Sequence, residues 1–318
     1  MLSEQWTEPD FLKFTDCRYR CFSYAYTGYD SPLKAPRHIA AMDWCIKNGV
    51  HVFMDSGAHS FHNFRYRRKG FASKLSREDV AKQVDIVTKQ FGQGFLNYVK
   101  WCYSHDRYFD FYVTFDADRD APFCWNITKE YFKKGIYPVP VYHGDSPLVW
   151  VRKYIDEGHT LIGVGIDRRG KSSATAVRRY YDSVIGLCEK HKVKCHGFAV
   201  TGDLMFQFPW YSVDSTTWIK AAAYGKLLDI IPEKQRVALI HVSERALGQG
   251  YGTVEGLSPS VQRYLRDMTE AKGFDFDKLR KDFYYRTYYN AKVMMDAVAV
   301  HSKRVSNAEW RSWKSVLT

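Results

Sequence analysis

From about residue 20 to about residue 245, short β-branched or aromatic runs alternate with longer amphipathic stretches, the pattern of parallel strands joined by crossover helices. The runs CFSYAY, VHVFMD, FYVTFD, YPVPVY, LIGVGI, CHGFAV, WYSVD and RVALIHV read as strands, and eight of them suit a closed barrel. Helical periodicity falls at 38–48, 77–102, 124–135, 147–157, 174–191 and 216–229, with Ser76 and Ser146 as N-caps and Gly49, Gly135 and Gly158 as stops. An open doubly wound sheet competes, but it announces its phosphate turn with GxGxxG after the first strand, and this chain carries neither that motif nor a GxxxxGK[ST] loop. Beyond residue 255 the pattern is helical only, at 258–271, 276–303 and 307–316, after a glycine-rich stretch at 242–259. The expected fold is therefore α/β, a (β/α)8 TIM-type barrel over residues 1–245 with a C-terminal helical extension, 246–318, packed on it.

Composition narrows the class. With 318 residues, 45% of them hydrophobic, 26% charged and 16% aromatic, the chain is a folded globular protein rather than a disordered or collagenous one. No window approaches the roughly 18 consecutive apolar residues of a spanning helix, and MLSEQWTEPDF has no basic, then apolar leader, so a soluble cytoplasmic protein is expected. Seven cysteines without a regular framework read as reduced thiols. The net charge of +12, interleaved with many aromatics, points to an anionic partner, nucleic acid before a membrane surface. The oligomeric state is left open.

In a barrel of this kind chemistry gathers at the carboxyl ends of the strands, and here those ends are acidic in an otherwise basic chain. VHVFMD ends in Asp55 before Ser56-Gly57-Ala58, FYVTFD ends in Asp116 with Asp118 and Asp120 behind it, YPVPVY runs into His143-Gly144-Asp145, and WYSVD ends in Asp214. Any one aspartate there is explained by an N-cap or Asx-turn; several together suit a divalent metal or glycosidic chemistry. The apolar, glycine-rich framing of Asp55 and Asp214 favours burial beside a flat base and a sugar over a hydrated ion.

The motifs then resemble one family. MDSGAHSF (54–61) is similar to the DSGG(F/Y)Q motif of tRNA-guanine transglycosylases, VTFDADRDAP (113–122) to their FDxxxP segment, and PVYHGD (140–145) stands where they carry VQGG. LIGVGI (161–166) resembles their GGLAVG strand, and HGFAVTG with YSVDSTTW (196–218) resembles the stretch ending in FDSASY, all in the same order over about residues 50–225. Two departures stand out. The family's CxCxxC zinc motif is missing, since no cysteine follows Cys195, and the length leaves no room for the archaeal RNA-binding extension. Cys188, His191, Cys195 and His196 lie upstream and read as buried thiols and a solvated histidine rather than as a zinc site. A compact, zinc-less member resembles the phage and bacterial DNA relatives, which exchange guanine in DNA for a 7-deazaguanine such as preQ0.

The resemblance implies roles. It makes Asp214 the nucleophile at C1′ and Asp55 the general acid/base, with Ser56 and Gly57 lining the base pocket. Asp116 would read the guanine Watson–Crick edge, His143 stands where the family has Gln, and the backbone of Gly163, Val164 and Gly165 would complete the pocket. DNA and a free 7-deazaguanine base are the implied partners; no cofactor, metal or membrane is expected. Two basic segments after strand ends are read as phosphate grips: Arg65, Arg67, Arg68, Lys69, Lys74 and Arg77 in a stretch with no acid from 65 to 77, and Arg168, Arg169 and Lys171. Arg280, Lys281, Arg286, Tyr284, Tyr285, Tyr288 and Tyr289 form either a strand-binding face or a core stripe. A tRNA substrate, an unrelated barrel hydrolase and a non-catalytic nucleic-acid-binding barrel are the competing readings.

Overall fold

A computed structural model describes residues 9–24, 35–58, 96–116, 120–144, 146–165, 173–200, 202–231, 236–244 and 254–305. The chain divides into two compact units, one built on residues 19–198 and one on residues 6–18 with 199–310.

The first unit alternates strand and helix. Strand β1 (Tyr19–Ser23) pairs parallel with β2 (His51–Asp55) from Tyr19↔His51 to Ser23↔Asp55, and β2 pairs parallel with β3 (Phe111–Tyr112). A parallel bridge, Val113↔Val139, carries the pairing on to the segment entering β4 (Val141–His143). From there β4 pairs with β5 (Leu161–Gly165) and β5 with β6 (Lys194–Gly197), again parallel. Each strand therefore lies beside its successor in the sequence. A doubly wound sheet reverses its order at a switch point, and these strands show no reversal. Between them run α2 (Ala35–Lys47), which follows α1 (Pro9–Thr15) in the chain, then α3 (96–105), α4 (Ala121–Lys133), α5 (Val149–Asp156) and α6 (Ala174–Lys190).

Local chemistry sets these boundaries. The carboxylate of Asp120 accepts from Phe123 N at 2.9 Å to open α4, and Ser173 Oγ accepts from Ala176 N at 3.2 Å to open α6. Gly49, Gly135 and Gly158 end their helices with φ of 65°, 69° and 87°, as expected from the sequence. Ser146 does not cap α5: the cap position is Leu148, with no side-chain bond, and the Ser146 carbonyl instead accepts from the Tyr142 hydroxyl. Helix 77–102 lies mostly outside the described residues.

Strand β5 is buried along its whole length, as expected of a parallel strand covered on both faces. Phe53 stacks on its strand neighbour Phe111 with centroids 4.7 Å apart, and His196 meets Phe53 and Phe198 edge-on at 4.8 and 4.7 Å. Gly163 makes room for this cluster, since a Cβ there would stand 2.5 Å from Phe198 Cε2.

The second unit departs from the expected pattern. Its elements are α1, α7 (Leu204–Gln207), β7 (Ser212–Val213), α8 (Thr217–Ala223), β8 (Lys226–Ile231), β9 (Arg236–His241), α9 (Pro259–Glu270), α10 (Phe276–Lys281) and α11 (Phe283–Val305). The stretch 216–229, expected as one helix, stops at Ala223; Gly225 turns at φ 68°, and KLLDII becomes a strand. RVALIHV, expected as an eighth parallel strand, pairs antiparallel with it, Lys226↔His241 to Ile231↔Arg236. Apolar residues of both runs favour extended structure, and two strands joined by a short link pair antiparallel. The helix expected at 276–303 breaks at Asp282, whose backbone is extended and whose carboxylate accepts from Tyr284 N and Tyr285 N to start α11. Residues 307–316 lie outside the described residues.

Helix α11 organises this unit. Asn290, 0% exposed, accepts from Leu228 N at 2.8 Å and donates to the carbonyls of Trp218 and Lys226 at 3.1 Å each. One turn earlier, buried Arg286 donates to the carbonyls of Ala222 and Leu279. Each such bond is worth about 1 kcal/mol net, and leaving the buried partner unpaired costs more. Phe11 and Phe14 of α1 pack on Tyr288 at 5.7 and 5.6 Å. Tyr285, Tyr288, Tyr289 and Arg286 are thus core residues, whereas Tyr284 and Lys281 of that group are exposed and Arg280 is half-buried. No helix among the described residues is long and apolar enough to cross a membrane.

In the first unit, His159 sits 5% exposed between Phe132 and Tyr154, and burial pushes its pKa from 6.5 down to about 4. The unfolded chain takes up this proton near pH 6.5 and the folded chain only near 4, so stability is full at neutral pH and falls as pH drops through that window. The expected loss by pH 4 is about 3 kcal/mol from this residue. Urea unfolding at pH 7, 5.5 and 4.5 measures it: a His159→Gln variant must show a shallower decline, and equal slopes would contradict the assignment.

Candidate functional site

The site in the first unit is built where β2, β3 and β4 end. Asp55 is the last residue of β2; its carbonyl accepts from Tyr24 N at 2.9 Å and its carboxylate from Gly57 N at 3.2 Å, an Asx-turn closed by a residue at φ 70°. That turn sends Ser56 inward. Ser56 is 2% exposed, and its hydroxyl donates to Asp116 Oδ1 at 3.3 Å while accepting from Ala58 N at 3.2 Å.

Asp116 follows β3 on a segment that is held on several sides. Val113 N donates to the Met54 carbonyl, Thr114 N to the Val139 carbonyl, and two buried tyrosines act from behind: Tyr98 donates to the Val113 carbonyl at 2.9 Å, and Tyr131 accepts from Phe115 N at 3.2 Å. Burial holds both phenols well above their ordinary pKa of 10, so both stay protonated, Tyr98 as donor to the Val113 carbonyl and Tyr131 as acceptor from Phe115 N. Asp116 is 9% exposed, and its second oxygen lies 2.5 Å from Nε2 of His143, the last residue of β4. One carboxylate therefore joins three strand ends, with Ser56 on one oxygen and His143 on the other.

This connectivity decides between chemistries. The Ser56 hydroxyl is bonded to the carboxylate rather than to the imidazole, so the hydroxyl–imidazole pair that activates a serine nucleophile is not formed. The group is instead a polar cluster with a carboxylate at its centre, the kind of surface that receives N–H donors. The His143 ring packs over Gly165, where an added Cβ would lie 3.5 Å from Nδ1.

The remaining predicted residues fall in three groups. Gly163, Val164 and Gly165 are buried in β5, and the sheet engages their backbone: Gly163 N donates to Pro140 O, Val164 O accepts from Phe198 N, and Gly165 O accepts from Gly144 N and the Tyr180 hydroxyl. Gly163 serves the Phe198 ring, and Tyr180, not anticipated from the sequence, fastens the end of β5. Asp214 belongs to the second unit and follows β7; its Oδ1 accepts at 2.9 Å from the amide of Ala199, a non-glycine residue at φ 52°. Such a backbone costs of order 1 kcal/mol or more and persists because a bond of this kind holds it. Arg65, Arg67, Arg68, Lys69, Lys74, Arg77, Arg168, Arg169 and Lys171 lie outside the described residues, as do Asp118 and Asp145.

No group of three or more His, Cys, Asp or Glu side chains among the described residues is arranged to hold a metal ion. Cys188 and Cys195 are buried and hydrogen-bonded to each other, a bond that lowers the pKa of Cys188 and raises that of Cys195; His191 is exposed at the end of α6. His196 is buried among the phenylalanine rings rather than solvated. Comparison with protein-family models and with curated protein sequences finds no match.

The tyrosine behind Asp116 gives a direct check on how the site is held. Tyr131→Phe leaves the buried amide of Phe115 without its acceptor and is expected to cost about 1–3 kcal/mol in urea unfolding. An unchanged midpoint would show that the Asp116 segment is held without it.

Proposed function

We propose that the chain is a base-exchange transglycosylase that replaces guanine in DNA with a 7-deazaguanine base of the preQ0 type, on a (β/α)8 barrel to which the sequentially paired parallel strands β1 to β6 belong. The observation that supports this reading most is the gathering of Asp55, Ser56, Asp116 and His143 at the carboxyl ends of neighbouring parallel strands. It adds to the ordered motif resemblance over about residues 50–225.

In this reading a carboxylate oxygen of Asp214 attacks C1′ of the target deoxyguanosine, the bond from C1′ to N9 breaks, and guanine leaves with a proton supplied by Asp55. The incoming base then gives its N9 proton to Asp55 and attacks C1′, which releases the Asp214 ester. Asp116 receives the N1–H and exocyclic amine of the base on the lone pairs that Ser56 and His143 leave outward. An imidazole whose Nε2–H is given to Asp116 offers a second N–H only in its charged form, so His143 differs from an amide in how it meets the base oxygen. The target nucleotide must leave the stack, at a cost of a few kcal/mol. The basic segments at 65–77 and 168–171 are proposed to hold the flanking phosphates.

Incubation with labelled guanine and either duplex DNA or tRNA tests the proposal. Label is expected in DNA, with Asp214→Asn and Asp55→Asn each reducing incorporation by about a thousandfold or more while DNA affinity is kept. Label entering tRNA alone would move the substrate to tRNA. No incorporation in either, or near wild-type exchange by Asp214→Asn, would overturn the reading.

A further inference from the structure

The second unit contains a cavity of about 260 Å³ that the base-exchange chemistry does not use, lined by Val254, Glu255, Gln262, Arg263, Arg266, Phe276 and Arg280. Its walls follow from helical spacing. Gln262 and Arg266 are four apart on α9 with Arg263 beside them, and Phe276 and Arg280 are four apart on α10, so each helix turns one face to the same space. A 3-10 turn, Val254–Gly256, supplies the third wall.

The lining carries three guanidinium groups and one carboxylate. Arg266 is braced from outside the cavity by Asp277 at 3.3 Å and Glu270 at 3.7 Å, and its guanidinium lies 5.2 Å from the centroid of buried Phe276. Arg280, with a side chain only 15% exposed, meets Glu255 and, at 3.9 Å, Glu244. Its Nε, however, is buried with no hydrogen-bond partner. Arg263 forms no ion pair with any described residue. A buried guanidinium N–H without an acceptor is costly, and Arg263, which has no ion pair among the described residues, adds positive charge at the same opening. Gln262 does not relieve it: its Nε2 donates to the Leu257 carbonyl at 2.9 Å, and its Oε1 accepts no bond from Arg280 Nε.

We propose that this cavity binds a phosphate group. A phosphate brings three acceptor oxygens, enough to meet the Arg280 Nε–H and the fork of Arg263 together, where a carboxylate brings two, and Phe276 with Val254 gives an apolar wall for whatever the phosphate carries. The volume admits a small phosphorylated compound or one phosphodiester of a strand, and a drug-sized ligand would need more room. The cavity lies wholly within the second unit, so its occupancy and the base-exchange reading stand or fall separately.

Calorimetric titration of the full chain at constant ionic strength, with inorganic phosphate and with a short single-stranded oligodeoxythymidylate, tests the proposal. Arg263→Ala is the informative variant, since Arg263 is exposed on α9, makes no ion pair, and alanine favours a helix. Saturable phosphate binding that Arg263→Ala weakens about tenfold, with an unchanged unfolding midpoint, supports a site for free phosphate compounds. Oligonucleotide binding weakened by the same variant, its salt slope lower by about 0.7, with inorganic phosphate unaffected, supports a strand phosphate as the source. If Arg263→Ala and Arg280→Gln both leave phosphate and oligonucleotide affinity as in the wild type, or if neither probe binds the wild type, the proposal is overturned.

Discussion

Parallel pairing governs this molecule. Strands that run in one direction bring all their carboxyl ends to one edge, and the helices that return the chain must cover both faces. From β1 to β6 each strand lies beside its successor, so Asp55, Asp116 and His143, far apart in the chain, are delivered to adjacent strand ends. The same pairing demands a dense interior. Phe53, Phe111, His196 and Phe198 fill it, and Gly163 is a glycine because a ring already occupies the place of its side chain.

The polar cluster depends on that rigidity. A carboxylate buried to 9% exposure is tolerated because both of its oxygens are engaged, and its donors come from two different strand ends. Tyr98 and Tyr131 hold the backbone of the intervening segment from behind, so the carboxylate is positioned before any ligand arrives. Preorganisation of this kind is what a base pocket needs, since base recognition is a matter of fixed acceptors facing fixed donors.

Much of this was legible in the residues. The alternation of strand and helix through residue 200, the glycine stops at 49, 135 and 158, and the acidic strand ends all follow from period, turn chemistry and residue type. Residues 216–241 misled because KLLDII is apolar and short, and periodicity cannot separate such a run from a buried helix; Gly225 was the signal that a turn intervened. The join between Ser56, Asp116 and His143 was invisible, since register across strands is a tertiary property. The tyrosines of 285–289 were ambiguous in sequence for the same reason: an aromatic stripe on a helix looks alike whether it faces solvent or α1. The basic cavity between α9 and α10 was missed because Arg263, Arg266 and Arg280 are separated by a turn that only the folded chain closes.

In the proposed reaction Asp214 forms a covalent bond to the sugar of a nucleic acid. Intact-mass spectrometry of the protein, quenched in acid after incubation with guanine-containing DNA and then digested for mapping, addresses it directly. The account expects a protein–DNA adduct that appears together with one equivalent of released guanine, maps to Asp214, and disappears when excess free guanine is added. Guanine exchange without any adduct, or an adduct mapped to a different residue, would contradict it.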